Sequence, residues 1–404
     1  MAKQPISALS LFSGIGGFCE GVRRAGFRVV GAVENDPFAA PNYRRLFPRV
    51  PLFDDDIASF LPANDPETRN RHLREFVGSG RLDLIFGGPP CQGYSQIGTR
   101  EVGDPRNQLY QHVARLAQLL KPRFVLIENV QNMFLMKRGL FRERIFGALN
   151  SAGYDNIGAI LLSAEDYGVP QERRRIFILA TSSRTVDVCM TQVLENARDC
   201  LRRPRVTVEE AIADLPRLPV TDSGMTLKYP QSSKDYQFLR EMRLDNDGSF
   251  YTARDKLNRY RPHGKIELHN HHTKEIQERR LTLIKLLKPG AKGDSLPKHV
   301  RHSSRPHKWR RLHPNRPAHT LMAQMHRDLS EWVHPEHHRW ITVREALRLQ
   351  SFHDGFVLGG SEWQQLKQVG NAVPPLLGYV PAMAVRLALS LADGTRRPFQ
   401  TSDR

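Results

Sequence analysis

Cys91 stands in "GGPPCQG" (Gly87–Gly93), behind two prolines and at the end of the apolar run "DLIFGG" (Asp83–Gly88). Proline fixes φ and stiffens the approach to the thiol. The apolar run reads as a strand, which sets Cys91 at the carboxyl edge of a sheet, where open α/β folds bind ligands. Structural cysteines are more commonly buried and inert. Here, though, Gly93, Gly98 and Gly103 space out a polar stretch, "QGYSQIGTREVG", that hides a thiol poorly. With a pKa of about 8.5, only a few per cent of a free thiol is thiolate at neutral pH. A nucleophilic Cys91 therefore needs nearby positive charge, or a substrate that gains a proton as it is attacked.

Two further stretches could supply that help. Glu128 lies near the end of "RFVLIEN" (Arg123–Asn129), and a carboxylate at a strand end is a candidate acid. "QERRRIFILA" puts Gln171, Arg173, Arg174 and Arg175 immediately ahead of another strand. At alternate spacing Arg173 and Arg175 are expected to point the same way, where they could neutralise a phosphate or orient a base. A solvated loop and a basic surface patch are the plainer readings of the same residues.

A second constellation points to a bound nucleoside. "LFSGIGGFCEG" (Leu11–Gly21) runs from a strand through Gly14, Gly16 and Gly17 into a helix, and glycines there let a ligand approach the backbone. Glu34 ends the next strand, about 20 residues on, where a carboxylate can accept from ribose hydroxyls. The glycine pattern is not G-x-G-x-x-G, so a nucleoside without a pyrophosphate fits better. With Glu34 and "DDDI" (Asp54–Ile57), the pattern favours an adenosine-containing cofactor.

These residues need strands and helices to hold them. Strands are expected at Ser7–Phe12, Phe27–Val33, Asp83–Gly88, Arg123–Asn129, Ile157–Ala164 and Ile176–Ala180. Leu109, Val113, Leu116, Ala117 and Leu120 share one helical face, and Lys121–Pro122 stops that helix. Such alternation predicts an α/β fold with a mostly parallel, doubly wound Rossmann-like sheet. Between Thr181 and Trp340 the chain turns irregular and basic, with one short capped helix expected from Thr207 and Glu210. From Ile341 regularity returns: Val343, Ala346, Leu347 and Gln350 fall at helical spacing, and "PPLLGYVPAMAVRLALSLA" reads as a buried helix. The expected division is a catalytic domain over 1–180, a smaller recognition domain over 181–340, and a return to the first domain over 341–404, its final helix beside the first strand.

The 404 residues carry a formal charge of +18, which favours a polyanionic partner, most simply nucleic acid. The four cysteines, Cys19, Cys91, Cys189 and Cys200, form no C-x-x-C pair, which disfavours a zinc knuckle. Neither a membrane span nor a signal peptide is expected, and scattered thiols suit a reducing cytoplasm.

Taken together the motifs are specific. The chain resembles the DNA (cytosine-5) methyltransferase family through "LFSGIGGF", "VENDPFA", "DDDI", "DLIFGGPPCQG", "DPRNQLY", "LIENV", "YGVPQERRRIFILA", "RPAHTL", "TVREALRLQSF" and "QVGNAVPP", in the family's order. The resemblance implies an S-adenosyl-L-methionine pocket in which Phe12 contacts adenine, Glu34 the ribose and Asp56 the adenine amino group, with Asn371 also lining it. Ser13, Gly14, Gly16, Gly17, Ile57, Pro89, Asn107, Leu109 and Ala372 are assigned to the same pocket. Asn35 stands where some members carry an aromatic over the adenine. Cys91 matches the nucleophile, Glu128 the residue on the cytosine edge, and Arg175 an arginine on the cytosine carbonyl; Arg173 is counted with them in the catalytic set, in a supporting role like Gln171 of the same motif. Arg316 and Thr320 match a motif that braces the recognition domain.

The implied activity is methyl transfer to C5 of cytosine in a specific double-stranded DNA sequence, with base flipping and a closing loop over 92–103. The implied enzyme is a monomer of the bacterial cytoplasm, partnered in function by a restriction endonuclease and needing no metal. A tRNA cytosine-5 methyltransferase on the same fold and a catalytically silent DNA-binding regulator are the rival readings. "HNHH" (His269–His272) and "HPEHH" (His334–His338) lack a second ligand cluster at motif-like spacing and read as polar loops. "RHSSRPHKWRR" (Arg301–Arg311) reads as a phosphate-contact patch.

Overall fold

The structure, a computed structural model, describes residues 6–60, 66–78, 80–90, 109–132, 139–218, 227–229, 236–243, 267–273, 275–300, 309–323 and 332–394. Cys91, the 92–103 loop, Asn107 and residues 301–308 of the basic patch lie outside the described residues. The chain divides into two compact units: Met1–Ser163 with Arg174–Arg203 and Pro375–Arg404, and Ala164–Arg173 with Pro204–Pro374. These boundaries differ from the expected breaks at 180 and 340. Residues 341–374 group with the second unit, because the helix they contain is buried among that unit's own loops.

The first unit is built on seven strands: β1 (Ser7–Leu11), β2 (Arg28–Val33), β3 (Leu52–Phe53), β4 (Leu84–Gly87), β5 (Phe124–Val130), β6 (Asn156–Ser163) and β7 (Arg174–Thr181). Their order is β3-β2-β1-β4-β5-β7-β6. Pairings from β3 through β5 are parallel, and β7 runs antiparallel to both its neighbours. The link Ala164–Arg173 is too short for the helical crossover that a parallel return requires. The seven helices of this unit are α1 (Gly17–Arg24), α2 (Ala39–Leu46), α3 (Pro66–Val77), α4 (Leu109–Leu120), α5 (Leu140–Ser151), α6 (Met190–Cys200) and α7 (Pro375–Ala392), among the described residues.

Period-two alternation splits the strand side chains between two faces. Leu9, Leu11, Ile85, Val125, Ile127 and Ile178 pack with Val113 and Leu116 of α4 and Phe141 and Ile145 of α5. On the other face Phe86 and Phe177 meet Phe18 of α1 edge-on, with ring centroids 5.0 and 6.0 Å away. The last helix, α7, lies along α1 and α6 and also reaches β7. Its crossing with α1 is close: a Cβ on Gly21 would fall 2.6 Å from the Pro375 carbonyl oxygen. The sequence placed this helix beside β1, the strand that leads into α1. With the helix Glu362–Asn371 ahead of it, α7 is long and apolar enough to cross a membrane, but 67% of its most apolar stretch is buried, as in a core helix.

The second unit is organised around the helix Val343–Leu349, every residue of which is buried. Thr342 and Glu345 close a capping box: the Thr342 hydroxyl accepts from Glu345 N (3.1 Å) and the Glu345 carboxylate from Thr342 N (2.8 Å). The buried charges fasten loops to the helix. Arg344 donates to the carbonyls of His269 (3.0 Å) and Phe356 (2.9 Å). Arg348 forks onto Asp354 (2.5 and 2.6 Å) and donates to Ala211 O (3.0 Å) and Asp214 (3.1 Å). A small apolar cluster, including Ile284, Leu287, Trp309 and Val333, forms a separate core. The expected capping box at Thr207 and Glu210 is present.

Both histidine motifs are packing elements. His271 bonds through its two ring nitrogens to Thr342 Oγ1 (3.0 Å) and Pro216 O (2.9 Å). His334 Nδ1 accepts from the N–H groups of Glu336 (3.1 Å) and His337 (3.0 Å), so that nitrogen carries no proton. Among the described residues no group of three His, Cys, Asp or Glu is placed to hold a metal ion. Burial pushes the His334 imidazole down to about 3 from its ordinary 6.5. A folded pKa below the unfolded one gives stability that is present above pH 6.5 and is lost as pH falls towards 3. Replacing His334 by Gln should flatten the stability–pH curve below pH 6.5 by up to one proton, about 1.4 kcal/mol per pH unit. Urea melts at stepped pH measure this, and an unchanged slope contradicts it.

Candidate functional site

The register of the sheet lines up the residues that matter. Leu11 pairs with Val33 on one side and Gly87 on the other, Val33 pairs with Phe53, and Gly87 pairs with Ile127. One residue beyond that row stand Glu34, Phe12, Gly88 and Glu128, all at the carboxyl edge. Glu34 and Glu128 are three strand spacings apart, about 14 Å. Because β7 is antiparallel it starts at this edge, with Arg175 opposite Val130.

At the β1–β2 end the chain turns sharply. Phe12 and Gly14 both have φ 55° and Gly16 has φ 89°. Only glycine adopts such values freely, and Phe12 is held there by its surroundings. Ser13 N donates to Val33 O (3.1 Å), and Gly14 N donates to Glu34 Oε2 (2.6 Å). The other Glu34 oxygen accepts from Asp36 N (2.8 Å). Burial raises the Glu34 carboxyl, and these N–H groups oppose the rise. The Asn35 N–H also bonds this carboxylate. An ionised carboxylate has roughly four acceptor positions, so one remains for a hydroxyl group.

A Cβ on Gly14 would meet nothing within 4 Å, so the turn opens onto free space. A Cβ on Gly16 would strike the Phe47 ring. Gly17 is the first residue of α1. Phe12 and Leu109 are half-buried against the core, Ile57 is buried, and Asp56 is exposed with Oδ1 accepting from Ala58 N (2.8 Å).

Around Glu128 the packing is tighter. A Cβ on Gly88 would lie 2.7 Å from Glu128 Oε2, so the second glycine of "GGPP" clears the carboxylate's seat. Arg175 Nε meets Glu128 Oε1 at 2.9 Å, and its Nη1 donates to Arg174 O (2.7 Å). Arg175 Nη2 has no partner among the described residues. Burial lowers the Arg175 pKa and the Glu128 charge opposes it. Asn129, 5% exposed, donates from Nδ2 to Pro89 O (3.0 Å) and accepts at Oδ1 from Val130 N (2.8 Å). It thereby ties the end of β5 to the residue two before Cys91. The sequence reading gave Asn129 no duty; its only sign there was an amide directly after a strand-end glutamate.

Arg173 corrects an expectation. Its guanidinium does not share the partners of Arg175, as alternate spacing on one strand would lead one to expect. Its guanidinium is buried in the second unit and donates to the carbonyls of Leu321 (2.9 Å), Gly370 (3.1 Å) and Ala372 (3.1 Å). These bonds clamp the turn that carries Asn371, which is exposed, and Ala372, which is buried. Arg173 therefore holds the backbone of that turn. Gln171 is buried too, donating to Leu349 O (3.2 Å) and accepting from Leu321 N (2.9 Å). Thr320 donates to Glu172 O (2.6 Å), and the Arg316 carbonyl accepts from Val208 N (3.0 Å).

With that geometry in place, comparison with known proteins is direct. Residues 6–384 match the family model described as C-5 cytosine-specific DNA methylase. The type II methyltransferase M.AgeI of Thalassovita gelatinovora is 31% identical, over 95% of this chain and 100% of its own length. M.DdeI of Desulfomicrobium norvegicum, also a type II methyltransferase, is 30% identical over 95% of this chain and 88% of its own. Among solved structures, an E. coli prophage protein described as a DNA modification methyltransferase superposes with a TM-score of 0.73 at 28% identity, covering 95% of this chain and 99% of its own.

Proposed function

The chain belongs to the C-5 cytosine-specific DNA methylase family, and we propose that it carries out methyl transfer to C5 of cytosine in duplex DNA with Cys91, Glu128 and Arg175 as its catalytic residues. One observation carries the assignment of roles. The Glu128–Arg175 pair and the Asn129-anchored approach to Cys91 share one sheet edge with the open cradle at Gly14.

The cradle suits S-adenosyl-L-methionine. Glu34 has an acceptor position left for a ribose hydroxyl, Gly14 leaves backbone room, and Phe12 and Ile57 offer apolar surface with Asp56 at the rim. Ser13, Gly16 and Gly17 shape the turn; Pro89, Asn107, Leu109, Asn371 and Ala372 are assigned on the motif alone. When bound, S-adenosyl-L-methionine supplies the methyl group as an electrophile.

The protein's own residues do the rest. Cytosine C5 is a poor nucleophile until Cys91 adds, as thiolate, to C6 and makes C5 enamine-like. Glu128 holds N3 and moves a proton there, offsetting charge that grows as the thiolate adds. Arg175 turns Nη2 to the base carbonyl while Nε stays on Glu128. Loss of the C5 proton then expels Cys91 and restores aromaticity. The target base must leave the stack to reach these groups.

The second unit is assigned to DNA recognition, and the basic excess of the whole chain suits a duplex partner. The kinship with type II methyltransferases supports a modification role beside a restriction endonuclease in a bacterial cytoplasm, acting as a monomer.

Replacing Asn129 by Ala should slow methyl transfer about tenfold, because Pro89 loses its anchor while cofactor titration stays unchanged. Single-turnover assays test this, and full activity would exclude the anchor. For the function itself, bisulfite sequencing of DNA from an expressing host should show 5-methylcytosine in one sequence context. Transfer of labelled methyl to tRNA and not to duplex DNA would overturn the assignment.

A further inference from the structure

We propose that a buried chain of four side chains, Tyr43, Cys19, Ser10 and Ser13, is a positioning relay that sets cofactor affinity by holding the glycine turn against Glu34. The inference rests on the reading that Gly14 and Glu34 bind S-adenosyl-L-methionine.

The relay crosses three elements of the first unit. Tyr43 of α2 donates to Cys19 Sγ (3.4 Å), and Cys19 of α1 donates to Ser10 Oγ (3.1 Å) in β1. Ser10 and Ser13 meet at 2.9 Å between hydroxyl oxygens, and Ser13 Oγ reaches Val33 O at 3.2 Å. Each group has one proton, and hydroxyls rotate. A single direction, from Tyr43 through Cys19, Ser10 and Ser13 to the Val33 carbonyl, therefore gives every donor an acceptor.

The end point is what gives the chain a function. Val33 O also accepts from Ser13 N, and the very next residue, Glu34, accepts from Gly14 N. The relay thus ends on the seam that fixes Glu34 relative to the turn. α2 supports the same turn a second way. Tyr43 stacks on Phe47 (4.7 Å between centroids, 29° between planes), and Phe47 fills the space a Cβ on Gly16 would take.

Tyr43 and Cys19 are fully buried, and Ser10 is 1% exposed. Mere core filling would be done better by apolar side chains, since buried polar groups stabilise only when paired, and a paired network fixes one geometry. Burial drives the Cys19 thiol up to about 11, so it stays protonated and remains a donor at neutral pH.

The test uses the full chain and S-adenosylhomocysteine as the calorimetric probe, with steady-state kinetics on duplex DNA. Tyr43→Phe and Cys19→Ala should each weaken nucleoside binding about three- to tenfold and raise KM for S-adenosyl-L-methionine alike. Both kcat and KM for DNA should stay within about twofold. Cys19→Ser keeps one proton and lone pairs and should restore affinity to within about twofold of wild type. The double variant Tyr43→Phe/Cys19→Ala should bind about as well as Cys19→Ala alone, because the two act in one chain. Variants that bind like wild type with only a lower Tm overturn the relay, and so does a Cys19→Ser variant as weak as Cys19→Ala. A wild-type protein that binds no S-adenosyl nucleoside overturns the functional reading itself, and the relay with it.

Discussion

Cys91→Ser should abolish methyl transfer, lowering the single-turnover rate on duplex DNA by about 10⁴-fold or more. A serine hydroxyl is far less acidic than a thiol and stays protonated at neutral pH. Binding should survive the change. Glu34 and the Gly14 turn follow β2 and β1, whereas Cys91 follows β4, and the described bonds of Glu34 run to Gly14, Asn35 and Asp36, so S-adenosylhomocysteine titration should be unaltered. Retention of even a hundredth of the wild-type rate would show that C5 is activated without covalent attack at C6.

The second large effect is expected at Glu128. Glu128→Gln keeps the shape of the side chain and an acceptor for Arg175 Nε, now 2.9 Å from the carboxylate. It removes the ability to move a proton at N3. The rate should fall about 10²- to 10⁴-fold, the usual range for losing a general acid. Glu128→Ala should fall further and also lower Tm, because the half-buried Arg175 guanidinium then loses its counter-charge. Arg175→Lys retains a positive charge but loses the fork that reaches Glu128 and a second acceptor together, so it should not rescue activity. A Glu128→Gln enzyme with wild-type kcat at saturating DNA would remove Glu128 from the chemistry and leave it a structural role.

Much of this edge was legible before any coordinates. Apolar runs ending in Gly or Glu announced β1, β2, β4 and β5, and their parallel pairing puts Glu34, Phe12, Gly88 and Glu128 on one row. Spacing alone served Arg173 badly. Alternation from 171 to 175 assumes one continuous strand, whereas β7 begins at Arg174 and Arg173 is buried with Leu321 and Gly370 in the other unit. The helix Val343–Leu349 failed the pattern differently. Its apolar face was visible, yet Arg344, Glu345 and Arg348 are buried as well, because loops poor in apolar residues are tied to it by charged hydrogen bonds. Several of these partners lie far away in sequence, such as His269 for Arg344, Ala211 for Arg348 and Pro89 for Asn129, and no local period encodes them. The two-residue β3 is short enough to carry no period of its own.

The central claim is that Cys91 attacks C6 while Glu128 and Arg175 hold the base. A duplex carrying 5-fluorocytosine at the modified position tests it most directly. Fluorine at C5 cannot leave as a proton does, so the adduct cannot eliminate Cys91 after methyl transfer. With S-adenosyl-L-methionine present, denaturing gels and intact mass should show a stable one-to-one protein–DNA adduct, absent in Cys91→Ser. Methylation of the unmodified duplex by an enzyme that forms no adduct with the fluorinated one, or an adduct that persists in Cys91→Ser, would contradict the account.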